Sequence, residues 1–84
     1  MKVQVKRLKT IKYPNPTSLD DKFVDANLYQ VPEIGEVLRI SNLHGRFNDN
    51  WITTIVKKVQ FLKGYMDVYT RNSIYRFKIG WGRN

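Results

Sequence analysis

The chain has no cysteine, which excludes disulfide staples and thiolate metal sites. No apolar window approaches the roughly 20 residues that a membrane-spanning helix needs. The basic stretch Met1–Arg7 has the charge of a signal peptide without the apolar segment that should follow it, so a soluble, cytoplasmic protein is expected. Internal repeats, low-complexity tracts and heptads are absent.

The residues of catalysis are also scarce. His44 is the single histidine. It could pair with Asp49 in the same loop, but no nucleophile or second histidine supports it, and an exposed turn histidine is the simpler reading. Asp20, Asp21 and Asp25 lack the alternating ligands and central glycine of a calcium loop, and suit a solvated helix start. Gly80-Trp81-Gly82-Arg83 has no helix after it, so neither a dinucleotide site nor a phosphate loop can be built there. An enzyme is not expected, nor a cofactor or a metal.

What the 84 residues do contain is room for one domain, residues 1–84, with one modest core. The clearest pattern lies between Val56 and Ile79. Joining Val59–Leu62 to Tyr65–Thr70 through Lys63-Gly64 sets Phe61 opposite Met66 and Val59 opposite Val68. Joining that strand to Ser73–Ile79 through Arg71-Asn72 sets Met66 opposite Phe77 and Val68 opposite Tyr75. On the other face the same register sets Asp67 opposite Arg76. One apolar face and one opposite-charge pair emerge together, as cross-strand pairing favours. Lysine is not favoured where a type I′ turn requires positive φ, so Lys63-Gly64 is the weak joint.

Elsewhere, Val3–Ile11 reads as a strand with a bulge near Lys6-Arg7, because Val3 and Val5 are out of phase with Leu8. A short helix is the alternative, limited by Pro14. Tyr13–Thr17 is a turn or extended linker. Ser18–Leu28 fits either a helix, capped by Ser18 with Leu19, Phe23 and Ala26 on one face, or an ordered loop with Phe23 in the core. Val37–Ser41 is a strand and Asn42–Asn50 a loop. Trp51–Val56 is apolar on both faces, as in the centre of a small barrel or at an interface, with a bulge expected at Lys57-Lys58. The expected fold is all-β with at most one short helix: a five-stranded SH3-like barrel, or else an OB-like one.

Thr53-Thr54-Ile55-Val56 followed by Thr70-Arg71-Asn72-Ser73-Ile74-Tyr75 resembles a pattern in small, uncharacterised β-rich proteins of phages and mobile elements. Pro32-Glu33-Ile34-Gly35-Glu36 also suits such proteins. The resemblance implies provenance and carries no functional residues with it.

Charge points to partners. The net charge of +8 divides into +5 over residues 1–12, −3 over 13–50 and +6 over 51–84. If the N-terminal strand packs beside the C-terminal meander, the two basic ends merge into one surface that attracts polyanions or acidic proteins. The alternative reading is that high charge only keeps a small protein soluble. The outward meander face carries the rows Lys58–Tyr69–Ile74, Gln60–Asp67–Arg76 and Leu62–Tyr65–Lys78. Bases could stack on Tyr65 and Tyr69 while phosphates pair with Lys58, Arg76 and Lys78, with Lys63 and Arg71 extending the positive edge. The leading expectation is a binding module for nucleic acid, single-stranded or duplex, with little sequence specificity. The alternative is an inhibitor or modulator that binds an acidic host protein through the same surface. A third reading leaves the tyrosines as good strand formers beneath another element.

Overall fold

Apolar residues at alternate positions set the strands. The structure, a computed structural model, describes residues 1–11, 18–20, 22–47 and 49–79. The Tyr13–Thr17 connection, Asp21 and Gly80–Arg83 lie outside the described residues. The strands are β1 (Lys2–Thr10), β2 (Val24–Leu28), β3 (Arg39–Ser41), β4 (Trp51–Ile52), β5 (Val56–Leu62), β6 (Tyr65–Thr70) and β7 (Ser73–Lys78). They form one open antiparallel sheet in the order β4-β3-β2-β1-β7-β6-β5. Its inner face holds the core, with Val3 and Val5 of β1, Ala26 and Leu28 of β2, Met66 and Val68 of β6 and Phe77 of β7 all buried. The sheet curls until its ends approach each other. The Gly35 N–H donates to the Val56 carbonyl at 2.9 Å, and the Val56 N–H donates to the Glu36 carbonyl at 2.8 Å.

The meander register is as the sequence predicts at every pair named above: Phe61–Met66, Val59–Val68, Met66–Phe77, Val68–Tyr75 and Asp67–Arg76. The Lys63-Gly64 joint holds because only Gly64 takes positive φ, at +78°. That is the type II requirement, so Lys63 is spared the left-handed region. A Cβ at Gly64 would meet nothing within 4 Å. Gly64→Ala therefore isolates backbone strain, and urea melts should show a loss of about 1–2 kcal/mol.

The expected five-stranded closed barrel is replaced by seven strands and an open sheet. The extra strands come partly from Ser18–Leu28, where neither the expected helix nor a loop forms. Only Ser18–Asp20 makes a turn of 3-10 helix, and Val24, Ala26 and Leu28 point inward from a strand. Alternation with Asp25 and Asn27 outweighed the weaker three-residue recurrence. In β1 the irregularity falls between Arg7 and Lys9, one residue later than expected. Arg7 takes the inward place and Leu8 is exposed.

Trp51–Val56 does not run through the centre. β4 is a two-residue edge strand, and the chain turns at Thr53, whose hydroxyl accepts from the Leu38 N–H and donates to the Thr54 carbonyl. Ile52 is accordingly exposed, while Val56 is buried at the start of β5. The bulge expected at Lys57-Lys58 is present between Val56 and Lys58.

The Thr-Thr and Thr-x-Asn-Ser segments meet at one corner. Thr70 closes the β6–β7 turn by bonding through its hydroxyl to both the N–H and carbonyl of Ser73. The Asn72 N–H donates to the Thr54 hydroxyl at 3.2 Å, and the Arg71 N–H to the Ile55 carbonyl at 3.1 Å. Asn72 does not use the left-handed conformation it tolerates, because threonine hydroxyls already satisfy the turn.

Candidate nucleic-acid interface

β1 pairs with β7, so the two basic ends of the chain do share a surface. Alternation sends Lys6 outward beside Arg76 and, past the bulge, Lys9 outward beside Ile74. The outer face then has three extended rows: Lys9–Ile74–Tyr69–Lys58, Lys6–Arg76–Asp67–Gln60 and Gln4–Lys78–Tyr65–Leu62. Arg7, between Lys6 and the bulge, points inward. It grips Asp20 through two hydrogen bonds, Nε to Oδ1 at 2.6 Å and Nη2 to Oδ2 at 2.9 Å, and lies 5.9 Å from the Trp51 ring centre. The Trp51 indole N–H in turn donates to the Tyr75 hydroxyl at 2.9 Å.

Cations and rings interleave across the outer face. Lys58 Nζ sits 5.0 Å from the Tyr69 ring centre, and the Arg76 guanidinium 5.1 Å from that of Tyr65. Lys78 Nζ lies 4.7 Å from the Phe23 ring, which itself stacks on Tyr65 with centroids 6.1 Å apart. Each such contact is worth about 0.5–1 kcal/mol at an exposed site. The Tyr69 hydroxyl donates to Gln60 Oε1 at 3.3 Å. Lys63 and Arg71 are exposed in the turns at opposite ends of β6.

Arg76 is not available in the way its exposure on paper suggested. Its Nε and Nη2 donate to the two carboxylate oxygens of Asp67 at 2.8 and 2.9 Å. The Asp67 side chain is only 6% exposed. Hydrogen bonding to Asp67, and then its charge, raises the Arg76 pKa above its ordinary value. Asp20 does the same for Arg7. Both guanidiniums therefore add stability throughout the range below the ordinary arginine pKa, and lose that contribution only as pH rises past it.

The chain matches no family model, no curated protein and no solved structure. The site is thus defined by its own chemistry. Of the seven residues expected there, Lys58, Tyr65, Tyr69, Arg76 and Lys78 share the outer face, while Lys63 and Arg71 flank it. Reading the meander alone missed Lys6, Lys9 and Phe23. The basic N-terminal block was a signal for the first two. For Phe23 the signal was the alternation of Val24–Leu28, which turns its predecessor outward. His44 is an exposed loop residue at φ 58°, and the Asp49 carboxylate lies 3.9 Å from Arg46. No helix among the described residues is long and apolar enough to cross a membrane.

Proposed function

We propose that this chain binds nucleic acid with little sequence preference through the outer face of β1, β7, β6 and β5. In this reading it is a non-enzymatic module of phage or mobile-element origin, acting in the cytoplasm of a bacterial host. The observation that carries the proposal is the pairing of β1 with β7, which sets Lys9 in the row of Tyr69 and Lys58 and Lys6 in the neighbouring row beside Arg76. Lys6, Lys9, Lys58 and Lys78 contact phosphates, because a lysine on a sheet surface can follow a backbone without reading bases. Tyr69 offers a stacking surface once Lys58 leaves its ring for a phosphate. Arg76 has a positioning role: held by Asp67, it keeps Tyr65 in place. Lys63 and Arg71 extend the field at the two turns. The proposal also takes the curled sheet as an opened relative of SH3-like and OB-like barrels, since Gly35 and Glu36, ahead of β3, bond to Val56 at the start of the end strand β5.

A fluorescently labelled single-stranded oligonucleotide titrated at several salt concentrations tests this. If four lysines each neutralise one phosphate, log K should fall against log salt with a slope of about −3, from roughly 0.7 per phosphate. Lys6→Ala and Lys9→Ala should each flatten the slope by roughly 0.7. Tyr69→Ala should leave the slope intact and cost about 1–3 kcal/mol of binding.

One observation favours the second reading, an inhibitor or modulator directed at an acidic host protein. The faces of Tyr65 and Tyr69 already carry cations and Phe23, which leaves less room for bases. A partner captured from nuclease-treated lysate at moderate salt, with the lysine and Tyr69 variants silent towards oligonucleotide, would establish that reading.

A further inference from the structure

The free edge of β5 borders an apolar gap, and together they form a second site that adjoins the outer face at Lys58. Strand β5 ends the sheet. Leu62 and Tyr65 flank a two-residue turn and so exchange hydrogen bonds. Gln60 and Lys58 then also bond to β6, while Phe61 and Val59 direct their N–H and C=O groups away from the sheet. The same outward ladder begins at Val56, where it is filled by the chain itself: Gly35 and Glu36 bond to both main-chain groups of that residue. It goes no further. The chain turns at residues 33–36, where the Glu36 N–H donates to the Glu33 carbonyl at 3.1 Å, and Pro32 before it has no N–H to donate.

At Phe61 this edge stands over a cleft of about 290 Å³. Leu28, Val31, Pro32, Phe61, Met66 and Ile79 line it. Phe61 is 68% and Val31 69% exposed at its rim, although Phe61 faces the core side of its strand. This is where the expected burial of Phe61 fails: the register is right, but among the described residues no neighbouring strand covers it.

We propose that this gap takes an extended acidic segment of another protein, which adds to β5 as an eighth strand. Paired residues on adjacent strands share a face, so the incoming strand must be apolar opposite Val59 and Phe61 and can carry charge opposite Lys58 and Gln60. Exposed Lys57, Lys58 and Lys63 along the edge select carboxylates there. Lysines on an open edge also discourage pairing with another basic strand. The net charge of +8 opposes a second copy of this chain in the same place. Main-chain bonds supply affinity and the alternate side chains supply selectivity, as in strand addition generally.

The test uses the intact chain and a synthetic seven-residue peptide alternating valine or isoleucine with aspartate or glutamate. Hydrogen exchange at the Val59 and Phe61 amides should slow by about tenfold or more at saturating peptide, since these N–H groups gain acceptors. Phe61→Ser, a change at an exposed side chain that leaves the fold intact, should weaken binding by about tenfold. An analogue with lysine in place of the acidic residues, and one N-methylated along its backbone, should both fail to bind. Equal binding by either analogue, no slowing at Val59 and Phe61 at millimolar peptide, or slowing confined to β1 and β7 would each overturn the proposal. An oligonucleotide should not slow those two amides. Loss of oligonucleotide binding in Lys6→Ala and Lys9→Ala should leave the peptide result unchanged, which separates this proposal from the nucleic-acid reading.

Discussion

Phe77→Ala should leave the protein largely unfolded at 37 °C. Phe77 is wholly buried in the middle of the sheet, paired with Val5 on one side and Met66 on the other. Removing a ring from such a site costs about 3–5 kcal/mol, from lost burial and the cavity left behind. A single core in so small a domain gives the low end of the usual range, about 4–5 kcal/mol in total. At about 4–8 °C per kcal/mol, the melting temperature should fall by about 12 °C or more. Phe61→Ala is the internal control. It lies on the same side of the meander but is exposed, so its melt should move by less than about 0.5 kcal/mol. Equal melts for the two variants would show that the core is not centred on β1, β7 and β6.

Arg76→Ala should be the second most damaging change, and the damage should appear in folding before binding. The substitution strands the Asp67 carboxylate, which is almost fully buried and takes both hydrogen bonds from Arg76. Breaking a fully buried ion pair costs about 3–5 kcal/mol, and an unsatisfied buried acceptor about 1–3 kcal/mol. Arg76 itself is 30% exposed, so water can replace part of what is lost, and about 2–3 kcal/mol is expected. The double variant Arg76→Met with Asp67→Leu should recover most of it, because two apolar side chains leave no unpaired charge. At low temperature, where Arg76→Ala stays folded, its oligonucleotide salt slope should match that of the parent protein. A flattened slope would return Arg76 to the phosphate contacts.

The meander was legible because three constraints agreed. Alternation of Val59, Phe61, Met66, Val68, Tyr75 and Phe77, two short turns, and the Asp67–Arg76 pair all demanded one register. A slip of one residue would have turned every apolar side chain outward, so wrong registers were excluded by burial alone. The same logic holds for Val24–Leu28, where alternation is present but Leu19, Phe23 and Ala26 also recur at helical spacing, so that a helix and an ordered loop both fit Ser18–Leu28 on paper. Five residues are too few for either period to win on paper. Pairing with β1 through Val3–Ala26 and Val5–Val24 decides it.

Composition, charge blocks and strand alternation by themselves determined an all-β chain, a basic surface and the face that each meander residue occupies. These are local or additive properties, fixed by the period-two geometry of a strand. Strand order, sheet closure and the state of each charge depended on tertiary structure. Only the three-dimensional arrangement shows that Asp67 is buried and takes two hydrogen bonds from Arg76, that Arg7 turns inward to Asp20, and that Phe61 faces an unfilled gap. Each of these depends on what lies one strand away, between residues far apart in the chain, and the energy of a charge or a ring is set by that neighbour.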